Sequence, residues 1–153
     1  MPSPIQPSIL NPALVGVAAS FGTVIVHAIL VGIIVWGFRR DLTRGRLGSR
    51  YLANLTFVAA ATMLALVAHL FEIGLWAIVF QFYGEFSGFA AAFYHSAVNY
   101  TTLGYGDVEM SPQWRLLGPL EAADGVLMFG VSTALIFAVM QRLIQTRLGL
   151  LER

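Results

Sequence analysis

Three long apolar runs, separated by short polar stretches, dominate the pattern of the chain. They extend over residues 13–38, 51–82 and 116–141. Each run reaches the roughly 20 residues that an α-helix needs to cross the hydrocarbon core of a bilayer. A fourth apolar stretch, residues 86–100, is too short to span and suits a re-entrant or buried helix. The pattern therefore predicts three transmembrane helices, with a short helix between the second and the third.

Composition agrees with a membrane protein. The chain has 153 residues, of which 58% are hydrophobic and 11% charged, and its mean hydropathy is +0.75. A soluble domain averages about 45–50% apolar and about 25% charged residues. The net charge of +1 gives no reason to expect a nucleic-acid partner. Cysteine is absent from the sequence, so the chain has no thiol chemistry and gives no indication of its redox compartment.

The arginines predict the orientation of the spans. Five lie in residues 39–50 and three in residues 142–153. The positive-inside rule makes these segments a cytoplasmic loop and a cytoplasmic tail. The N-terminus is then outside, and residues 1–12 form an uncharged, extended extracellular tail. We expect a multi-pass protein of the plasma or inner membrane. No soluble regulatory domain is expected in this chain.

The segment between the second and third spans is predicted to face outward. It carries Glu85, Asp107 and Glu109 against a single basic residue, Arg115. An acidic outer mouth concentrates cations. Ser87 is a candidate N-cap for the short helix, for which we predict residues 87–101.

The run TTLGYGDV follows this short helix. Non-helical backbone at membrane depth is tolerated only where it is buried in protein or lines water. A cation that sheds its hydration shell can be held by backbone carbonyls. Aiming successive carbonyls at one axis requires a backbone of alternating handedness, which Gly104 and Gly106 permit because they adopt positive φ without steric cost. Leu103 and Tyr105 would then point away from the axis, and the Thr102 hydroxyl would add an inner oxygen ligand.

These residues resemble the filter of the tetrameric potassium-channel pore-domain superfamily, and the arrangement resembles the bacterial two-span pore module with an extra N-terminal span. The resemblance implies an all-α homotetramer in the lipid bilayer that binds permeant K⁺ at Thr102, Leu103, Gly104 and Tyr105. It divides residues 51–141 into an outer helix (51–82), a pore helix (87–101), a filter (102–107) and an inner helix (116–141). Leu103 replaces the commoner valine, which leaves the carbonyl unchanged but alters the packing behind the filter.

Further positions follow from the resemblance. Tyr94 and His95 stand where many members have two tryptophans that brace the filter, and both can donate to Tyr105 or Asp107. Val98 stands where some bacterial members have a glutamate paired with the filter aspartate. That pairing is therefore absent here.

The third span holds the gating candidates. Gly125 falls close to the hinge glycine of the family, and Gly130 follows it. Either glycine allows bending, although small residues also serve close helix packing in membranes. Phe137 and Gln141 would lie near a cytoplasmic constriction.

Five ionisable residues lie inside the predicted spans: His27, His69, Glu72, Glu121 and Asp124. Such residues are costly in a membrane and are usually paired or functional. One interpretation is a structural network that ties the spans to the pore helix. The alternative is proton-sensitive gating, since histidine titrates near neutrality. A metal site has weaker support, because the three histidines are scattered.

The sequence thus predicts a potassium-selective channel that conducts K⁺ passively through a fourfold filter, and not an enzyme. The alternatives are a weakly selective cation channel or a non-conducting accessory subunit. An intramembrane enzyme is disfavoured because no nucleophile–base pair or metal motif is visible. The first span lacks a ladder of arginines, so it is not a voltage sensor of the usual kind, and its role stays open.

Overall fold

The computed structural model describes residues 9–48 and 50–151, and over those residues its regular structure is entirely helical. The four helices are α1 (Leu10–Thr43), α2 (Tyr51–Phe82), α3 (Phe89–Tyr100) and α4 (Leu117–Leu151). Three of them, α1, α2 and α4, are long and apolar enough to cross a membrane. The predicted fold class, three membrane-spanning helices with one short helix before the last, is confirmed.

Helix α1 begins earlier than the apolar run suggested. It starts at Leu10, so Pro12 lies inside its first turn and is buried. Proline is tolerated there because the first N–H groups of a helix have no intrahelical partner. An extended segment reaching residue 12 is therefore wrong for residues 10–12. Residues 1–8 of that predicted tail lie outside the described residues.

Glycines with positive φ follow α1 and α2. Gly45 has φ 65°, and the N–H of Arg46 donates to the Asp41 carbonyl at 3.0 Å. Gly84 has φ 76°, and the N–H of Glu85 donates to the Phe80 carbonyl at 3.1 Å. Both are the 6→1 bonds of a Schellman motif, in which a left-handed glycine satisfies orphan carbonyls. These two glycines explain why the helices stop where they do.

Helix α3 begins at Phe89, with Gly88 as its N-cap in an extended conformation and without a side-chain capping bond. The expectation that Ser87 caps this helix is therefore wrong, because Ser87 lies one position before the cap. Without a hydroxyl or carboxylate at the cap, the start of α3 depends on its packing.

Helix α4 continues beyond residue 141, where the predicted inner helix ended, to Leu151. The arginines after residue 141 do not end it, because Arg142 and Arg147 lie on its exposed side while Leu143 is buried. Arg147 also lies over the ring of Tyr51, with its guanidinium carbon 5.6 Å from the ring centroid.

The chain divides into two compact units. The first comprises residues 1–25 and 71–127, of which 9–25 and 71–127 are described. Its largest fully buried side chains are mostly aromatic or polar, with one leucine and one proline among them: Trp76, Phe80, Tyr100, Thr23, Glu72, Ser96, Glu121, Leu117 and Pro12. This unit contains α3 and the residues of the predicted filter.

The second unit comprises residues 26–70 and 128–153, described except for residues 49, 152 and 153. It has two apolar clusters. One is built on Leu30, Ile34, Ala61, Ala65 and Ala68. The other is built on Leu47, Val139 and Leu143. Small residues on α2 allow α1 to approach closely, which is the usual way that helices associate in membranes.

Candidate ion-conducting site

The filter segment, residues 102–107, leaves the carboxyl end of α3 and is bonded to its last turn. The N–H groups of Leu103 and Gly104 both donate to the Val98 carbonyl, with N···O distances of 2.9 and 3.2 Å. The N–H of Thr102 donates to the Asn99 carbonyl at 2.8 Å. Val98, a predicted filter support, thus contacts the filter segment through its backbone carbonyl oxygen, which any residue type supplies.

The backbone of the filter segment alternates in handedness. Thr102, Gly104 and Gly106 have φ values of 60°, 57° and 69°, while Leu103 and Tyr105 keep negative φ. The left-handed conformation costs a non-glycine residue such as Thr102 about 1–2 kcal/mol. Strain of this size persists where the surrounding structure imposes it, commonly at functional sites. The alternation allows successive carbonyls to face one side, as coordination of a dehydrated cation requires.

A single chain leaves the filter segment uncovered. Every residue from Thr101 to Asp107 is exposed, including Leu103 at 55% and Tyr105 at 65%. On one side, a cavity of about 450 Å³ lies between the filter glycines, α3 and the start of α4. Large apolar side chains in this position need further protein around them, because irregular backbone cannot face lipid.

The charge pattern at the end of α3 favours a cation. The carboxyl end of a helix carries a partial negative charge from its unpaired carbonyls. Asp107, at the other end of the filter segment, is exposed. The groups that could hold a cation are therefore the filter carbonyls, with the Thr102 hydroxyl beside them.

Tyr94 braces the end of the filter segment. Its hydroxyl donates to Asp107 Oδ2 at 2.8 Å. The hydrogen bond to Asp107 raises the pKa of Tyr94 above its usual value, so the phenol stays protonated and keeps donating. This is one of the two contacts that the sequence allowed for Tyr94.

His95 contacts a different atom from those expected. Its Nδ1 lies 3.0 Å from the Val108 carbonyl, and its Nε2 lies 2.8 Å from Nδ2 of Asn99. Since a carbonyl only accepts, Nδ1 carries the proton and Nε2 accepts from the Asn99 amide. Burial lowers the pKa of His95, so the neutral ring is favoured. His95 thus fixes the residue just after the filter segment, rather than Tyr105 or Asp107.

A second brace holds the loop after the filter segment. Both oxygens of the Glu85 carboxyl group accept hydrogen bonds from Ser111, one from its N–H at 2.6 Å and one from its hydroxyl at 2.7 Å. Glu85 therefore has a structural contact in addition to its negative charge.

Three buried carboxyl groups surround α3. Tyr100 donates its hydroxyl to Glu72 on α2. Ser96 contacts Glu121 on α4 and also lies 2.8 Å from the Ile73 carbonyl. Burial, followed by the contact with Glu72, raises the pKa of Tyr100, so its hydroxyl stays protonated. Both contacts tie α3 to the long helices at its sides.

Asp124, one turn after Glu121 on α4, links that helix to α2 and α1. Its Oδ2 accepts from the indole N–H of Trp76 at 2.9 Å and lies 2.7 Å from the Thr23 hydroxyl. Glu72, Glu121 and Asp124 are thus brought together around the helix that carries the filter segment. Through these contacts the three carboxyl groups join side chains of all four helices.

Gly125 is a close-packing position. A Cβ added to it would lie 2.1 Å from the backbone carbonyl oxygen of Tyr100, the last residue of α3. Only glycine fits at that distance. By contrast, a Cβ added to Gly130 would meet nothing within 4 Å. Of the two roles considered for Gly125, the structure favours packing, and Gly130 stays a candidate hinge.

Two other gating candidates, Phe137 and Gln141, lie on exposed parts of α4.

In the second unit, Nε2 of His27 and Nε2 of His69 lie 3.2 and 3.1 Å from the Ser132 hydroxyl. The His69 ring also stacks against Phe129, with ring centroids 4.4 Å apart. The two histidines therefore share a hydroxyl on α4.

The sequence interpretation missed the partners of the ionisable residues. Each of five further residues contacts at least one of the predicted residues, yet none stood out in the sequence: Ser96, Asn99, Tyr100, Trp76 and Ser132. A signal existed for the first three, because polar residues recur at positions 96, 99 and 100 of α3. Helical spacing places side chains three or four residues apart on one face.

The comparison with protein families identifies the class. The family described as "Ion channel", whose members have two pore spans, matches residues 56–142, which is more than half of the chain. Among curated proteins and among solved structures, nothing matches the chain significantly. The matched range covers most of α2, all of α3 and the filter segment, and most of α4. The protein is therefore a multi-pass membrane protein that belongs to the ion-channel family.

Proposed function

We propose that the protein is a potassium-selective channel in which four copies of the filter segment form a ring around the conduction axis. The observation that carries the proposal is the alternating backbone of Thr102, Gly104 and Gly106 in a TLGYG sequence. Potassium channels use four TVGYG loops, whose carbonyl oxygens replace the hydration shell of the ion. K⁺ is here the transported ion, and the residues that would hold it are Thr102, Leu103, Gly104 and Tyr105.

The homotetramer is part of the proposal. One filter segment supplies one wall of a ring, and its exposed Leu103 and Tyr105 side chains need protein around them. Neighbouring copies provide that protein. The same assembly would cover apolar side chains of α4 that are exposed in the single chain, such as Val126, Leu127 and Val131.

We also propose an orientation for the channel. The filter segment would face the outside and the arginine-rich residues 39–50 the cytoplasm, following the positive-inside rule. Phe137 and Gln141, near the other end of α4, would then lie toward the cytoplasmic entrance. Gly130 is our candidate for a bend between them and the filter.

The test is the reversal potential of the purified protein in liposomes, with potassium on one side and sodium on the other. We expect reversal near the potassium equilibrium potential. Gly104→Ala is the matched control, because φ 57° at this position is strained for alanine, and we expect it to abolish the current. A reversal near zero with clear current would refute potassium selectivity.

A weakly selective cation channel is the second candidate, and Leu103 is the observation that favours it. Leucine is larger than the commoner valine and changes the packing behind the filter. If the wild type passes sodium, Leu103→Val should restore selectivity. A non-conducting accessory subunit would instead give no current, and it would not form tetramers in detergent. The particle size measured by light scattering distinguishes a tetrameric channel from an accessory subunit.

A further inference from the structure

The contact between Ser96 and Glu121 raises the question of where its proton lies. Ser96 is in the middle of α3 and Glu121 near the start of α4, and both side chains are fully buried. The Ser96 hydroxyl oxygen lies 2.8 Å from the carbonyl oxygen of Ile73 on α2. It also lies within hydrogen-bonding distance of Glu121 Oε1. The serine thus bridges three helices.

Counting hydrogens decides the direction of these bonds. A serine hydroxyl has one hydrogen to donate, and a backbone carbonyl and an ionised carboxylate can only accept. If Glu121 were ionised, Ser96 would face two acceptors with one hydrogen. If Glu121 is a carboxylic acid, it donates to Ser96 and Ser96 donates to Ile73. Only the protonated form makes both contacts hydrogen bonds.

The surroundings of Glu121 agree with a neutral acid. Within the described part of the chain, the groups that interact with its side chain are Ser96, Asn99 and Asp124, and none is a cation. An ionised carboxylate buried without a cation is strongly disfavoured. Asp124, one turn away on α4, accepts the indole N–H of Trp76 at 2.9 Å and is a second carboxyl group beside Glu121. Two carboxyl groups this close disfavour ionisation of both.

We infer that Glu121 is a protonated carboxylic acid that donates a hydrogen bond to Ser96 and so positions α3 behind the filter segment. Ser96 lies two residues before Val98, whose carbonyl accepts the N–H groups of Leu103 and Gly104. The chain of bonds from Glu121 through Ser96 to Ile73 therefore holds the part of α3 to which the filter segment is bonded. Glu121 touches no ion, so it is a positioning residue. Its consequence for conduction rests on the proposed channel function.

If the Glu121 side chain donates to Ser96, two variants at this position should behave differently. Glu121→Gln keeps a neutral side chain of the same shape with N–H groups that donate to Ser96. Glu121→Ala removes the donor. We expect Glu121→Gln to keep the hydrogen exchange of residues 96–104 within about twofold of the wild type. We expect Glu121→Ala to accelerate that exchange at least tenfold. If Glu121→Gln accelerates exchange as much as Glu121→Ala does, the inference is wrong.

Infrared spectroscopy reports the proton directly and does not require the alanine variant to fold. A protonated carboxylic acid gives a carbonyl stretching band that a carboxylate lacks. We expect such a band in the wild type, its loss in Glu121→Gln, and its retention in Asp41→Asn, a control at the end of α1. Identical bands in the wild type and Glu121→Gln would overturn the inference.

Flux measurements separate this inference from the proposed function. In liposomes, we expect Glu121→Gln to keep the ratio of potassium to sodium permeability within about twofold and Glu121→Ala to lower it at least tenfold. A wild type without potassium current refutes the proposed function, while hydrogen exchange and the infrared band still decide the state of Glu121. A selective wild type whose Glu121→Ala variant is equally selective, with unchanged exchange, refutes the positioning role.

Discussion

The unit that carries the filter segment and the unit formed by residues 26–70 and 128–153 are packed by different chemistry. In the first, buried carboxyl and hydroxyl groups such as Glu72, Glu121 and Ser96 surround α3. In the second, the described residues form two mainly aliphatic clusters, and the buried polar side chains among them are the three of His27, His69 and Ser132. Lipid tails are as apolar as leucine, so aliphatic contacts between membrane helices stabilise the fold through packing alone. Hydrogen bonds also fix the relative orientation of the groups that they join.

This difference agrees with the proposal that the first unit carries a selectivity filter. A filter needs its carbonyls at fixed positions, and hydrogen bonds with defined donors and acceptors give that precision. Aliphatic clusters tolerate changes of shape as long as their volume is kept. We therefore expect substitutions in the first unit to change selectivity and conduction, and substitutions in the second to change mainly stability.

The largest effect is expected at Gly125. In Gly125→Ala the new Cβ would lie 2.1 Å from the Tyr100 carbonyl oxygen, so α3 or α4 must move. Overpacking usually lowers the free energy of unfolding by about 1–3 kcal/mol. Because the atom in the way belongs to the backbone and cannot rotate away, we expect a loss of about 3 kcal/mol or more here. The unfolding midpoint in detergent measures it. Gly130→Ala is the control, since its Cβ meets nothing within 4 Å. Equal midpoints for the two variants would contradict the packing role.

Truncating the aliphatic core of the second unit should lower stability without altering selectivity. Leu30 is buried in the cluster with Ile34 and Ala65. Leu30→Ala should lower the free energy of unfolding by about 2–3 kcal/mol, because the cavity leaves the surrounding side chains without a packing partner. The ratio of potassium to sodium permeability should stay within about twofold of the wild type. A large change in that ratio would remove the distinction between the two units.

Removing one hydroxyl next to the filter segment should lower selectivity in addition to stability. Tyr100→Phe keeps the ring but deletes the donor to Glu72. Loss of a buried hydrogen bond to a charged or polar partner costs about 1–3 kcal/mol. Because Tyr100 immediately precedes Thr101 and the filter segment, we expect reduced selectivity in the reversal-potential assay as well. Unchanged selectivity with reduced stability would assign this contact to packing alone.

The smallest effect is expected from acid, through His95. Its pKa is lowered in the folded protein by burial, so the neutral ring is favoured there. The stabilising contribution is complete above the unfolded pKa of about 6.5 and is lost as the pH falls toward the folded value. Between pH 7 and 5.5 we expect a loss of less than about 1.4 kcal/mol per pH unit.

The unfolding midpoints of the wild type and of His95→Gln over this pH range measure that contribution. Glutamine keeps an N–H donor for the Val108 carbonyl but does not titrate. We expect part of the pH dependence to disappear in the variant. If the two proteins lose stability in parallel, His95 does not contribute, and other titrating groups account for the loss.

Much of the architecture follows from local sequence. Apolar runs of more than 20 residues give α1, α2 and α4, and a 12-residue stretch that is too short to span gives α3. The glycines at 104 and 106 permit the alternating backbone that the structure has. These features depend on residues close together in the chain, which is why a single sequence contains them.

Helix ends are less predictable, because they depend on burial and packing as well as on local residue preferences. Pro12 stands inside the first turn of α1 rather than before it, and α3 begins after Gly88 instead of at Ser87. The arginines after residue 141 remain in α4, since their side chains lie on its exposed side. Burial, which decides these cases, is not a property of the segment alone.

The amino-acid sequence alone predicts a membrane protein with three spans and a short helix. It also contains a run of residues suited to hold a dehydrated cation. The partners of the ionisable groups emerge only from the folded chain: Ser96 for Glu121, Tyr100 for Glu72, and Ser132 for His27 and His69. The same holds for the position of Gly125 against the Tyr100 carbonyl. The physical reason is that helix periodicity gives the face on which a residue lies, whereas its partner depends on how the helices pack. In these pairs the two partners are 25 to 105 positions apart in the chain.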